Sequence, residues 1–262
     1  MKRISALVLV TALAVVSPFA PAQAAQTFKL GVTPGPHADI AAAAKDLLAK
    51  KGIDLELVTF TDYQTPNAAL ADGSLNANSF QNAGFLNTYN KAHGTNLVAV
   101  AKTFAQPMGL YSNKIKNLKD LKDGATIAIA NDPVNESRGL HLLAIAGLIS
   151  IPANAPALLT PADVNDPRKF NLQPINAAQV VHSLDDVDLG AVNPNYALDA
   201  GITKQALLLE NRAQAEKAIN IIAVRAEDAN SPIIKAFVAA YQSPEVKAFI
   251  LKKYDGFVIP EW

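Results

Sequence analysis

Asn135 and Arg138 stand three residues apart behind the turn Asn131-Asp132-Pro133, a spacing that puts an amide and a guanidinium on one helix face near its start. Asp132 is a good N-cap, and Pro133 suits the first helical position because its missing N–H has no partner there in any case. Ahead of them, Ile127 and Ile129 alternate with small residues as a buried strand does. Leu140, Leu143, Ala144 and Leu148 keep helical spacing behind. A strand therefore runs into a helix whose free N–H groups, together with Arg138, would suit a small carboxylate. An arginine placed here serves a structural ion pair with an acidic neighbour equally well, and these residues alone leave both readings open.

Other residues able to touch a ligand fall at the ends of strands: Tyr63, the run Phe80 to Phe85, and the turn Asn193-Pro194-Asn195-Tyr196. Singly, each reads as a cap or a core side chain. Their common location, where open α/β sheets bind ligands, points to a binding cleft.

Catalytic motifs are missing from the sequence. It contains no G-x-S-x-G, H-E-x-x-H, P-loop or G-x-G-x-x-G, so neither an enzyme nor a cofactor is implied. His37, His93, His141 and His182 are scattered and read as helix-end or surface residues rather than metal ligands. The acidic run from Ser183 to Asp188 lacks the glycine and distant glutamate of a calcium loop and reads as a solvated turn. The chain has no cysteine, which removes disulfides, thiolate metal sites and lipid attachment at a cysteine together.

The elements that would carry these residues alternate at short intervals. Strands are expected over residues 28–33, 53–60, 75–80, 97–102, 170–175, 187–193 and 220–225. Helices are expected over 37–50, 64–71, 83–93, the stretch after Asp132, 196–200, 233–241 and 244–254. Strand–helix alternation of this kind is the mark of open parallel α/β sheets. Residues 107–112 add an extended segment, and two similar blocks suggest two lobes with a cleft between them.

The chain has 262 residues, half of them hydrophobic and 18% charged, a globular composition. Lys2 and Arg3 precede an apolar run from Ile4 to Val16, and Ala22-Gln23-Ala24 is a small-x-small cleavage signal. The run is too short for an ordinary membrane span. Cleavage after Ala24 would leave 21 Lys+Arg against 23 Asp+Glu, which gives no support for a nucleic-acid or anionic-membrane partner.

The stretches GVTPGPHADI, KGIDLELVTFTDYQTPNAALADGSLNAN, PMGLYSNKIKNL, LKDGATIAIANDPVNESRGL, SLDDVDLGAVNPNYALDAG and QSPEVKAFI resemble, in order, the methionine-binding lipoproteins that serve methionine-type ABC importers. The resemblance implies an α/β fold, a two-lobed periplasmic binding protein of the type II class. Lobe 1 would hold residues 25–111 and 226–262 and lobe 2 residues 112–225, after a signal peptide at 1–24. It implies a non-enzymatic, monomeric periplasmic protein that closes on a small amino acid, methionine or a relative, and delivers it to an inner-membrane permease. A sensor module presenting the same closed form to a receptor is the other role such a protein would serve. By the same resemblance Arg138 clamps the ligand carboxylate, Asn135 and Asn193 add polar contacts, and Tyr63 and Phe80 wall the ligand side chain.

This chain departs from the family's A-N-x-F-Q-H-x-P-Y, placing Asn82 where the pocket histidine stands and Phe85 where a tyrosine stands, and from E-P-M-G-L-Y with Gln106 for the acid. On this reading Asn82 offers the ligand side chain a buried amide that a thioether would leave unsatisfied, so a more polar amino acid or a methionine derivative would compete well. The missing lipobox cysteine implies a soluble periplasmic protein.

Overall fold

The computed structural model of the chain describes residues 25–262; the expected signal peptide, residues 1–24, lies outside the described residues. The chain begins with β1 (Gln26–Val32), α1 (Pro36–Ala43), α2 (Lys45–Ala49), β2 (Ile53–Thr59), α3 (Pro66–Ala71), β3 (Ala77–Asn82), α4 (Ala83–His93) and β4 (Leu97–Lys102). Its middle adds β5 (Phe104–Ala105), β6 (Gly109–Tyr111), β7 (Thr126–Ala130), α5 (Pro133–Ile145), β8 (Asn171–Ile175), α6 (Ala177–Val180), β9 (Leu189–Val192), α7 (Pro194–Asp199) and β10 (Leu208–Leu209). After α8 (Arg212–Ala215) come β11 (Asn220–Arg225), α9 (Pro232–Tyr241), α10 (Pro244–Tyr254) and β12 (Ile259–Pro260).

Two five-stranded sheets organise these elements, one in the order β2-β1-β3-β11-β4 and the other β10-β6-β9-β7-β8. The expected parallel sheets are mixed. In the first, β11 runs antiparallel between β3 and β4, because the chain re-enters that lobe from the opposite side. In the second, β6 and β10 are antiparallel additions to the parallel set β9-β7-β8. Pro174 is tolerated because β8 is an edge strand.

The two crossings between the sheets also lie earlier in the chain than expected. Gly109–Tyr111, expected in lobe 1, pairs within the second sheet, and Asn220–Arg225, expected in lobe 2, pairs within the first. The first crossing is therefore the short segment Gln106–Pro107–Met108, and the second begins at Glu210.

Local chemistry accounts for the helices that frame the cleft. The Asn82 side chain caps α4 by accepting from the Phe85 N–H at 3.0 Å, and Gly94 ends that helix with φ +66°, a left-handed conformation that suits glycine. Asp132 caps α5 by accepting from the Asn135 N–H at 2.9 Å, with Pro133 at the first helical position. The single helix expected over residues 37–50 is instead α1 and α2, broken at Ala44, where the sequence carries no breaker.

Each sheet buries its own core. In the first lobe Phe28 on β1 stacks on Phe237 of α9 with ring centroids 4.6 Å apart, both rings inaccessible to solvent. In the second, Ile127 and Ile129 meet Leu140 and Leu143 of α5 and Leu189 of β9. A smaller cluster joins Tyr63 and Phe80 of the first lobe to Val192 and Tyr196 of the second. Phe237→Ala should lower unfolding stability by about 3–5 kcal/mol, seen as a lower urea midpoint at unchanged m-value.

Candidate functional site

The chain turns out of β3 at Asn82, out of β7 at Asn131 and out of β9 at Asn193, and these three strand ends face one another across the lobes. Tyr63, Phe80, Asn82 and Phe85 from the first lobe and Asn135, Arg138 and Asn193 from the second line a single cavity there. All seven residues singled out in the sequence are thus brought together. His37, Gln81, Gln106, Pro194, Asn195 and Asn220 complete the lining.

The aromatic residues form one wall. Phe80 and Phe85 meet edge-on at 5.7 Å between centroids, and Tyr63 stands 5.9 Å from the first and 6.1 Å from the second. Tyr196 lies 5.2 Å from Tyr63 on the opposite lobe. Two hydrogen bonds cross the cleft here: the Tyr63 hydroxyl donates to Asn195 Oδ1 at 2.5 Å, and the Tyr196 hydroxyl donates to the Thr61 carbonyl at 3.3 Å. Burial, with Tyr196 and Asp132 nearby, holds the Tyr63 phenol well above its ordinary pKa, so it remains a donor.

Arg138 forms the structural ion pair and also lines the cavity. Its Nε donates to Glu210 Oε1 at 2.9 Å and its Nη2 to Glu210 Oε2 at 2.5 Å, a bidentate pair in which the side chains are 13% and 6% exposed. Nη2 also donates to the Gln106 carbonyl at 2.8 Å. None of these bonds uses Nη1. The arginine is therefore an internal ion pair and, by the same geometry, a cavity residue with one nitrogen to spare.

Asn135 is anchored by Asp132: its Nδ2 lies 3.0 Å from both oxygens of that carboxylate, which share one amide hydrogen, and none of these bonds uses its carbonyl oxygen, an acceptor. Burial raises the Asp132 carboxyl above its usual range, and the N–H bonds from Asn135 oppose that rise. Asn82 is half-buried, and its oxygen accepts from the Phe85 N–H as the α4 cap, so its Nδ2 is the end that remains to meet a ligand.

Other amides supply the unpartnered groups. Gln106 Nε2, Asn195 Nδ2 and Asn193 Oδ1 are buried with no hydrogen-bond partner. With Arg138 Nη1 and Asn135 Oδ1 they make a mixed set, donors for an anion and acceptors for a cation. A zwitterionic amino acid satisfies both kinds at once. Gln81, by contrast, is tied into an amide network behind the wall, donating to Asn67 Oδ1 at 2.6 Å and to Asn78 Oδ1 at 2.9 Å.

Two participants escaped the sequence reading. Glu210 lies at the end of the two-residue β10, with no pattern around it to mark a role. His37 is the helix-end residue expected, in the first turn of α1, but it is also a cavity residue, 2% exposed. Its ring lies 4.8 Å from that of Phe104. Burial lowers the His37 pKa to about 3 from its ordinary 6.5. The unfolded chain therefore takes up a proton near 6.5 that the folded chain refuses until about 3, so stability falls as pH drops between those values. The contribution is at most about 1.4 kcal/mol per pH unit. His37→Gln should flatten this part of the urea-unfolding pH profile, and an unchanged slope between wild type and variant would contradict the assignment.

Comparison with known proteins places this geometry in context. The sequence profile of the NlpA lipoprotein family matches residues 28–262. The chain is 39% identical over 238 residues to a probable D-methionine-binding lipoprotein MetQ of Vibrio cholerae, covering 89% of this chain and 88% of the relative. Among solved structures, a nutrient-binding protein from Burkholderia cenocepacia bound to methionine is 40% identical with a TM-score of 0.85, covering 90% of this chain and 100% of the other. An ABC transporter periplasmic substrate-binding protein from Coxiella burnetii is 42% identical with a TM-score of 0.82, covering 89% and 100%. The fold is the two-lobed type II periplasmic binding fold of these non-catalytic proteins.

Proposed function

The chain belongs to the NlpA lipoprotein family, and from that premise we propose that it is an extracytoplasmic substrate-binding protein that captures a small amino acid, methionine or a close relative, for an ABC importer. The observation that carries this reading is the mixed polarity of the cavity. Arg138 Nη1, Gln106 Nε2 and Asn195 Nδ2 would receive the α-carboxylate, while Asn135 Oδ1 and Asn193 Oδ1 would receive the α-ammonium. Tyr63, Phe80 and Phe85 offer an apolar wall to the ligand side chain. Support for methionine comes from the bound ligand of the Burkholderia cenocepacia relative.

The two lobes close over the ligand by rotation about the crossings, and the Tyr63–Asn195 and Tyr196–Thr61 bonds latch the closed form. The closed monomer is the form the inner-membrane permease reads. Calorimetry with L-methionine and a panel of amino acids tests this. Methionine is expected to bind with a micromolar or smaller Kd, and absence of heat with every amino acid would overturn the reading. Arg138→Lys keeps a cation beside Glu210 but loses the fork, and should weaken binding at least about tenfold, since a charge-assisted bond contributes about 1.5–3 kcal/mol.

The mature protein on this reading starts at Ala25 and, having no cysteine, carries no thioether-linked lipid. Osmotic shock of the exporting cell should release it with an N-terminus at Ala25. Recovery in the membrane pellet with residues 1–24 attached would contradict the proposal.

A further inference from the structure

We propose that Glu210 is the positioning residue of the carboxylate clamp: it fixes the direction in which Arg138 presents its free nitrogen to the ligand. The inference rests on the amino-acid reading of the cavity given above. A guanidinium is planar, so holding its Nε–Nη2 edge determines where Nη1 points. Glu210 holds that edge with both oxygens, at 2.9 and 2.5 Å.

Glu210 is itself held. Its Oε2 accepts from the Met108 N–H at 2.8 Å, and its own N–H donates to the Met108 carbonyl at 2.9 Å. Arg138 Nη2 completes the arrangement on the Gln106 carbonyl at 2.8 Å. Gln106 and Met108 bound the first interlobe crossing and Glu210 opens the second. The clamp's orientation is thereby set by the two crossings, although Arg138 itself belongs to α5. A carboxylate alone can do this, because both oxygens accept: Oε1 from Arg138 Nε, and Oε2 from Arg138 Nη2 and the Met108 N–H. Glu210→Gln would confront donors with an amide NH2 on one side or the other, and the guanidinium would turn.

A purely structural ion pair would show itself differently from a positioning one. Loss of a structural pair weakens every ligand alike, whereas loss of positioning weakens only ligands that use the carboxylate. The experiment is calorimetry of wild type and Glu210→Gln with L-methionine and with L-methioninol, which keeps the amine and side chain but has a hydroxymethyl group for the carboxylate. Wild type should prefer methionine by a hundredfold or more. In Glu210→Gln that preference should shrink at least tenfold, with methioninol affinity changed less than threefold. Equal weakening of both probes, or an unchanged preference, would overturn the inference. Failure of wild type to bind methionine, or to prefer it over methioninol, would instead sink the amino-acid reading. If Glu210→Gln does not fold, Glu210→Asp keeps the charge, withdraws it by one methylene and is read by the same ratio.

Discussion

A cation drawn out of water between two lobes must bring its own anion, and the bidentate pair of Arg138 with Glu210 meets that requirement. An unpaired guanidinium at this depth would carry a desolvation penalty of several kcal/mol, and removing either partner leaves the other stranded. The pair also joins parts of the chain that share no secondary structure: a helix of the second lobe, the carbonyl of Gln106 and the backbone of Met108. Because one ion pair gathers all of these, the depth of the cleft, the facing of α5 and the path of both crossings are mutually dependent.

Around that centre, the cavity works by leaving specific atoms out of the protein's own hydrogen bonding. Asp132 holds the donor end of Asn135, and Tyr63 holds the acceptor end of Asn195. An amide has one end of each kind, so occupying one end determines what the other offers. The polarity of the site is therefore set by residues one layer behind it. The aromatic wall needs no such support, because its rings are held edge to face by one another.

Much of this was legible in the sequence, and the parts that were not share a cause. Asp132 and Pro133 announced α5 because capping is local chemistry, and α4 matched its expected bounds because Asn82 and Gly94 punctuate it. The cavity residues could be found because parallel α/β connections bring strand ends to one place. Asn82 was legible as a cavity residue but its second role was not: an amide immediately before a helix is also a preferred N-cap. Glu210 and the burial of His37 depend on what the chain places opposite them from far away, for which no local pattern exists. The antiparallel insertion of β11 is of the same kind: its apolar run identified a strand but carried no information about its neighbours.

That insertion has a consequence for how the molecule comes into being. Strands β6 to β10 are contiguous in the chain and close the second sheet by themselves, while β3 and β4 do not touch each other and wait for β11 to fill the gap between them. For a polypeptide emerging amino end first, the lobe that begins earlier is thus the one completed later. Until β11 arrives, β3 presents an open edge and β4 has no partner, the kind of exposed strand on which chains aggregate. The strand that closes the first sheet also ends the second crossing, so the two lobes are joined by both crossings only once β11 is in place.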